Sequence, residues 1–122
     1  MNVHERRKVR SNVRSEAVRL YLEHNAARAG VPAVALSDVQ GFLIGGTGDV
    51  DLTALAAVGP LFVGDGALSP ATEARVGELV QNHDVYASRL EIGGTTLVLT
   101  SLGARFPEQR RAERAITRIL TA

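Results

Sequence analysis

The glycine-rich segment 41–48, Gly-Phe-Leu-Ile-Gly-Gly-Thr-Gly, is the first place in this sequence where chemistry could occur. Glycine lets backbone N–H groups approach a phosphate closely, and phosphate-binding loops use this property. The segment lacks the Gly-Lys-Ser/Thr that supplies the lysine and the magnesium ligand of a P-loop, and its glycine spacing differs from that of a dinucleotide-binding turn. We therefore predict that Gly45–Gly48 is the exit loop of a β-hairpin and that no nucleotide cofactor binds there.

Side chains that could ligate a metal or act as an acid or base are few and scattered. The histidines are His4, His24 and His83, and none shows the His-x-x-x-His or His-x-Glu spacing that places two ligands on one face. Asp49 and Asp51 could bind a hard cation, but capping of the following helix explains both. No Gly-x-Ser-x-Gly elbow presents a serine nucleophile, and the chain has no cysteine. The sequence predicts no enzyme activity, no catalytic residue, no metal site and no cofactor.

Charge is distributed unevenly along the chain. Residues 1–19 carry six basic and two acidic groups, residues 105–122 carry five and two, and the stretch between carries three and nine, although the formal net charge is only +1. This pattern predicts two basic helices that lie near each other against an acidic sheet region.

The basic ends have three interpretations: a solvated helix face, a surface that docks a protein, or a surface that binds nucleic acid or anionic lipid through phosphates. No aromatic residues are interleaved for base stacking and no helix-turn-helix is evident, which disfavours nucleic acid. We expect no insertion into a membrane. The predicted partner-docking residues are Arg6, Arg7, Arg10, Arg14, Arg110 and Arg111.

Apolar periodicity and turn residues predict the elements that would position these groups. Apolar steps of three and four residues predict helices, whereas short apolar runs on either side of Asp38–Gly41 and of Gly93-Gly94 predict two β-hairpins. Ser11 or Asn12 should cap the first helix, and Gly59-Pro60 should end the second. The predicted elements are helices over about 12–29, 52–58 and 70–81, strands over 33–37, 42–46, 85–92 and 95–102, and a last helix that opens at Pro107.

These elements predict a single α+β domain. Their order, α-ββ-α(α)-ββ-α, predicts one antiparallel sheet flanked by helices, and a length of 122 residues suits one hydrophobic core. We assign residues 1–11 to a basic N-terminal arm and residues 12–122 to the domain. The stretch 61–68 has no clear pattern.

Composition also indicates where the protein works. No apolar run follows the basic N-terminus as it would in a secretory signal, and no stretch approaches the ~18 apolar residues of a membrane-spanning helix. The absence of cysteine suits a reducing compartment. Thirteen arginines against one lysine are typical of a GC-rich bacterial genome. We expect a cytoplasmic protein of bacterial origin.

Three segments together resemble the Roadblock/LC7 family: AVALSDVQGFLIGG (33–46), DVDLTALAAVGP (49–60) and LEIGGTTLVLTSLG (90–103). In that family a first helix precedes a hairpin whose turn ends in glycine, a helix rich in small residues follows, and further strands and a closing helix complete a Roadblock/profilin-like domain. The likeness covers about residues 12–121. The family usually has three strands after the second helix, whereas two are evident here.

The resemblance implies a function without catalysis. Family members form homodimers or heterodimers by pairing their second helices and joining sheet edges, and they serve as scaffolds or regulators of small Ras-like GTPases, motors, and bacterial polarity or motility systems. An edge strand offers unpaired N–H and C=O groups, which a second copy satisfies. We therefore expect a dimerising scaffold that docks a protein partner. The alternatives are a nucleic-acid-binding accessory protein that uses the basic terminal helices and a small-molecule sensor.

The resemblance also implies which residues meet in the dimer. They belong to the second helix and to the strand at the joining edge. For the helix residues, a place in the core of their own molecule is an equally open interpretation. The implied dimer-interface residues are Leu52, Leu55, Ala56, Val58, Val85, Tyr86 and Ser88.

Overall fold

The computed structural model describes residues 3–64, 70–80, 83–107 and 109–121, and the side chains of residues 3–13, 72, 73, 75, 79 and 80 lie outside this description. The predicted order of elements is confirmed, and the fold class is α+β. The elements are α1 (Val3–Ala29), β1 (Ala33–Asp38), β2 (Leu43–Gly48), α2 (Leu52–Val63), α3 (Pro70–Val80), β3 (Val85–Ile92), β4 (Thr95–Leu102) and α4 (Gln109–Thr121).

The strands form one antiparallel sheet in the order β2-β1-β4-β3. Both predicted hairpins are confirmed, because β1 pairs with β2 and β3 pairs with β4. The first and last strands of the core meet in the centre, where Ala33 lies opposite Leu102 and Asp38 opposite Leu97. Consequently β2 and β3 form the two edges of the sheet.

Helices cover both faces of the sheet and divide the core into two layers. On one face Val18 and Leu22 of α1 and Ile116 of α4 pack against a set that includes Val34 and Leu36. On the other face α2 packs on the alternate β1 residues, Ala33 and Ala35. Since β1 is buried on both faces, its apolar run is continuous rather than alternating. The two basic helices, α1 and α4, contact each other as the charge pattern predicted.

The first helix begins earlier than predicted. α1 starts at Val3 and continues to Ala29, so Ser11 and Asn12 lie inside it and their prediction as caps is wrong. The described part of the 1–11 arm is therefore a continuous extension of α1. Arginine, lysine and glutamate lose little side-chain freedom in a helix, which explains why α1 includes this basic stretch.

The strand predicted over 42–46 continues to Gly48 as β2, so the prediction of an exit loop at Gly45–Gly48 is wrong. Gly45 lies opposite Leu36 in the ladder with β1. A β-carbon on Gly45 would lie 2.9 Å from Cγ1 of Val18 in α1. The glycines therefore permit a strand directly beneath a closely packed helix.

The prediction that α2 ends at Gly59-Pro60 is wrong, because the helix continues to Val63. Pro60 has no N–H and removes the hydrogen bond that the Ala56 carbonyl would accept within the helix. Burial of Val58 and Gly59 on the sheet holds the helix together across this position. Tertiary packing has thus overridden a local signal for termination.

The remaining helix ends agree with the sequence or fall outside the described residues. Asp51 caps α2, as predicted, because its Oδ1 accepts a hydrogen bond from the Ala54 N–H at 3.1 Å. α3 covers nearly all of its predicted range, 70–81, and the last predicted residue, Gln81, lies outside the described residues. α4 begins at Gln109, two residues after the predicted start at Pro107. No helix among the described residues is both long and apolar enough to cross a bilayer.

Candidate interaction surfaces

The side chains considered for chemistry do not come together in the described structure. Within those residues, no group of three or more His, Cys, Asp or Glu side chains could hold a metal ion. His24 and His83 are exposed, as is Asp49, and Asp51 is occupied as the cap of α2. What the described surface offers instead is apolar side chains, an open strand edge and a row of arginines.

The helix residues assigned to the dimer interface lie mostly in the core of their own molecule. Leu55, Ala56 and Val58 are 1%, 0% and 7% exposed and pack on the sheet in the layer beneath α2. Leu52 is half-buried at the start of the helix. Their participation in a dimer interface stays a prediction, and the structure gives them an intramolecular packing role.

A different set of residues forms the exposed face of α2. Thr53, Ala57 and Leu61 follow one another at four-residue spacing and are exposed, and Phe62 lies beside Leu61. Leu61 and Phe62 remain 43% and 40% exposed, although both side chains are large and apolar. Small residues such as Thr53 and Ala57 let a second helix approach closely. We call these four residues the α2 face; the sequence analysis missed Leu61 and Phe62 because it ended the helix before them.

The turn between β1 and β2 places two more exposed apolar side chains beside the α2 face. Val39 is 54% exposed and Phe42 is 67% exposed. The Asp38 carboxylate fixes the turn by accepting hydrogen bonds from the backbone N–H groups of Gln40, at 2.9 Å, and Phe42, at 3.0 Å. Gly41 has a φ of 91°, and a β-carbon there would lie 2.9 Å from the Ala57 Cα, so the turn sits directly against α2.

The edge strand β3 offers its backbone rather than its predicted side chains. Val85, Tyr86 and Ser88 are half-buried. Tyr86 belongs to the face covered by α4, where the Arg105 guanidinium lies 5.1 Å from the centre of its ring. β3 has eight residues and its outer edge is not paired with another strand, so it can accept one through its N–H and C=O groups. One of these groups is already bonded, because the Arg89 carbonyl accepts a hydrogen bond of 3.2 Å from Nε2 of Gln109 in α4, and an added strand would have to displace that side chain.

Arg89 joins the α2 face to this edge. Its Nη2 donates a hydrogen bond of 2.6 Å to the carbonyl oxygen of Val63, the last residue of α2. The guanidinium therefore satisfies a carbonyl that the helix end leaves open and places a positive charge at the negative end of the helix dipole. The α2 face and the β3 edge become one continuous surface, which we call the α2–β3 surface. Sequence reasoning did not identify Arg89, because its partner is distant in the chain.

We expect Arg89→Ala to lower the free energy of unfolding by about 1 kcal/mol, since an exposed charged donor to one carbonyl is lost. Urea unfolding followed by circular dichroism measures this change. Arg89→Lys, which keeps one charged donor, should lose less. Equal stability of the wild type and Arg89→Ala would show that the bond contributes nothing to holding α2 on β3.

The predicted basic surface is only partly within the described side chains. Arg110 and Arg111 are exposed on α4 and Arg14 is half-buried on α1, whereas the side chains of Arg6, Arg7 and Arg10 lie outside the description. Two arginines that were not predicted, Arg114 and Arg118, continue the surface along α4. An open groove of about 960 Å³ runs along it and is lined by Gln109, Arg110, Arg111, Glu113, Arg114 and Arg118.

A small cavity lies between the β3–β4 hairpin and the start of α4. Tyr86, Arg105 and Phe106 are among its lining residues, and its volume is about 40 Å³. Pockets that bind small organic ligands usually measure about 300–1,000 Å³. This cavity therefore gives no support to the small-molecule sensor alternative.

Solved structures share this fold at low sequence identity. Neither a protein-family model nor a curated protein matches the sequence. MglB of Myxococcus xanthus superposes with a TM-score of 0.52 and 17% identity, over 87% of this chain and 89% of that one. The gliding protein MglB from Thermus thermophilus gives a TM-score of 0.52 and 17% identity, over 87% of this chain and 90% of the other. These matches confirm the Roadblock-like fold that the sequence resemblance implied.

Proposed function

We propose that this chain, which has the Roadblock-like fold, is a dimerising scaffold that docks a protein partner and catalyses no reaction of its own. The observation that carries the proposal is the α2–β3 surface, in which exposed Leu61 and Phe62 lie at the end of a helix that Arg89 ties to an open strand edge. Apolar side chains and unpaired backbone groups in one continuous surface favour burial by a second polypeptide.

The geometry of this surface suits a second copy of the same chain. In a two-fold dimer the same surface of each copy forms the interface, so α2 would pair with α2 and β3 with β3. Of the two sheet edges, β3 has eight residues in regular register with β4, whereas β2 has six and its register with β1 shifts at Leu36/Ser37. Regular register makes β3 the better edge for strand addition, because a bulge disrupts the ladder.

The partner that we propose is a small Ras-like GTPase or a component of a polarity or motility system. Support comes from the Roadblock/LC7 resemblance in sequence and from the similarity in fold to MglB, one example of which is a gliding protein. The rigid turn that presents Val39 and Phe42 beside the α2 face would extend the apolar contact area available to such a partner. A turn whose backbone is already held by hydrogen bonds loses little conformational freedom on binding.

Two measurements test the proposal. Sedimentation equilibrium of the full chain should give a dimer, and titration with a small Ras-like GTPase from the same organism should give binding that differs between its GDP-loaded and GTP-analogue-loaded forms. Leu20→Asp introduces a charge at an exposed leucine of α1, away from the α2–β3 surface, and should leave both the dimer and the binding of the GTPase unchanged. A chain that stays monomeric at about 100 μM, a concentration at which interfaces of micromolar affinity are filled, would overturn the dimer. Absence of binding to either nucleotide state would overturn the GTPase assignment.

A further inference from the structure

Three arginines form an unpaired row along the outer face of α4. Arg110, Arg114 and Arg118 are exposed and follow one another at four-residue spacing. The rise of an α-helix places successive members of such a row about 6 Å apart. Within the described part of the chain, none of the three makes an ion pair or a hydrogen bond. We call these residues the α4 arginine row.

By contrast, one arginine of the neighbouring helix α1 is paired with two carboxylates. In α1, Arg19 forms ion pairs with Glu16 and with Glu23, the second at 2.6 Å, so one guanidinium is held between two carboxylates one helical turn away on each side. The hydrogen bond from Arg19 lowers the pKa of the Glu16 carboxyl below its ordinary value. Among the described residues, α1 therefore holds a paired arginine on its exposed side, whereas three arginines of α4 have no partner.

The position of the row on α4 is unfavourable for the isolated helix. Like charges four residues apart repel each other, and the row contains two such steps. Arg110 also lies in the first turn, which has no acidic residue, and there it opposes the positive end of the helix dipole. Only Arg118, in the last turn, complements the dipole. An external anion would remove both penalties.

The surroundings of the row favour a protein over a nucleic acid or a membrane as that anion. Gln109 and Glu113 line the groove together with arginines, and no aromatic or large apolar side chain is among its lining residues. Bases would find no ring to stack on, and a bilayer would meet no apolar side chain to bury. The Glu113 carboxylate would repel a continuous phosphate backbone, whereas a protein can place a cation opposite it.

We propose that the α4 arginine row docks an acidic helical segment of a protein, with carboxylates at every fourth residue aligned on Arg110, Arg114 and Arg118. An acidic row at that spacing has the same ~6 Å repeat, so each carboxylate can accept paired hydrogen bonds from one guanidinium. α4 buries Ala112 and Ile116 in the layer opposite to α2, so this surface lies across the sheet from the α2–β3 surface. The two surfaces approach each other at Gln109, which lines the groove and whose Nε2 donates a hydrogen bond of 3.2 Å to the Arg89 carbonyl of β3.

The probe is a capped synthetic peptide of about 15 residues, long enough to form a helix when bound, with three glutamates spaced four residues apart. A second peptide has the same composition with the glutamates spread around the helix. Fluorescence anisotropy with the full chain should give an affinity at least about 10-fold higher for the first peptide and a loss of about 10-fold in the R110E/R114E/R118E variant. A peptide with lysines in place of the glutamates should bind that variant and not the wild type.

Several results would overturn the proposal. These are equal affinity for the two acidic peptides, unchanged affinity in the triple variant, and tighter binding of a single-stranded oligonucleotide or of phosphatidylserine vesicles than of the acidic helix. Arg114→Gln and Arg28→Gln each remove one exposed positive charge, so a general effect of charge would weaken binding equally in both, whereas the proposal expects a loss only in Arg114→Gln. Circular dichroism establishes that the variants fold. The triple variant leaves the α2–β3 surface unaltered, so sedimentation should show the same dimer as in the wild type. A failure of the arginine row to bind the acidic helix is thereby distinguished from a failure of the proposed dimer.

Discussion

Gly59→Ala should lower the free energy of unfolding by about 3 kcal/mol, because a buried β-carbon at this position has no room. It would lie 1.9 Å from Oγ1 of Thr100 and 3.1 Å from Cγ1 of Val98, both in β4. The gain of about 1 kcal/mol that alanine brings to a helix cannot offset this overlap, since α2 would have to lift off the sheet. Urea unfolding monitored by circular dichroism measures the loss.

Two further variants establish the cause of this loss. Gly77→Ala changes a glycine inside α3 where no atom lies within 4 Å of the new β-carbon, so it should raise stability by up to about 1 kcal/mol. Thr100→Ala removes the hydroxyl oxygen, which is buried without a hydrogen-bond partner, and should restore at least half of the loss in the double variant. A Gly59→Ala protein as stable as the wild type would refute the close packing of α2 on β4.

Leu61→Asp should raise the dissociation constant of the proposed dimer by about 100-fold, because two-fold symmetry places the charge in the interface twice. Leu61 is 43% exposed in the single chain, so its replacement should leave the free energy of unfolding of the monomer within about 0.5 kcal/mol of the wild type. Sedimentation over a range of protein concentrations measures the dissociation constant, and urea unfolding measures the stability.

The matched control is Leu20→Asp. Leu20 is 52% exposed, and it lies on α1, across the sheet from α2. Both variants add one negative charge in place of an exposed leucine, so a general effect of charge would weaken the dimer equally in both. A dimer of unchanged affinity in Leu61→Asp would show that the α2 face is not the interface.

The elements that the sequence predicted correctly are those whose signals are local. The Asp38–Gly41 and Gly93-Gly94 turns sit between short apolar runs, and both hairpins form in the structure. Asp51 caps α2 through a bond to a residue three positions away. Such interactions need no knowledge of the rest of the chain, so residue types at fixed spacing suffice to predict them.

The errors arise where a distant element decides the outcome. Thr47 and Gly48 follow the predicted strand 42–46 and are typical of a loop, but pairing with Val34 and Ala33 of β1 keeps them in β2. Gly59-Pro60 is typical of a helix end, but burial on the sheet carries α2 to Val63. In each case tertiary packing outweighed an intrinsic preference of about 1–3 kcal/mol.

Which residues of α2 are buried and which are exposed could not be predicted from the sequence. α2 is apolar on both sides, so its sequence, Leu-Thr-Ala-Leu-Ala-Ala-Val-Gly-Pro-Leu-Phe-Val, has no periodicity that tells the buried face from the exposed one. The closeness of Gly59 to Thr100 orients the helix, and this orientation buries Leu55 and exposes Leu61. Likewise, composition reveals many arginines, but only the structure tells that Arg19 is paired and that Arg114 has no partner among the described residues.

By itself the sequence determined the α+β class, both hairpins, the Roadblock-like resemblance and the basic character of α1 and α4, because each of these follows from residue types a few positions apart. Only the tertiary structure decided that β2 and β3 are the edges, which face of α2 remains open, and that Arg89 joins that face to β3. These features depend on contacts between residues far apart in the chain, and the free energy of such contacts is set by packing rather than by local pattern.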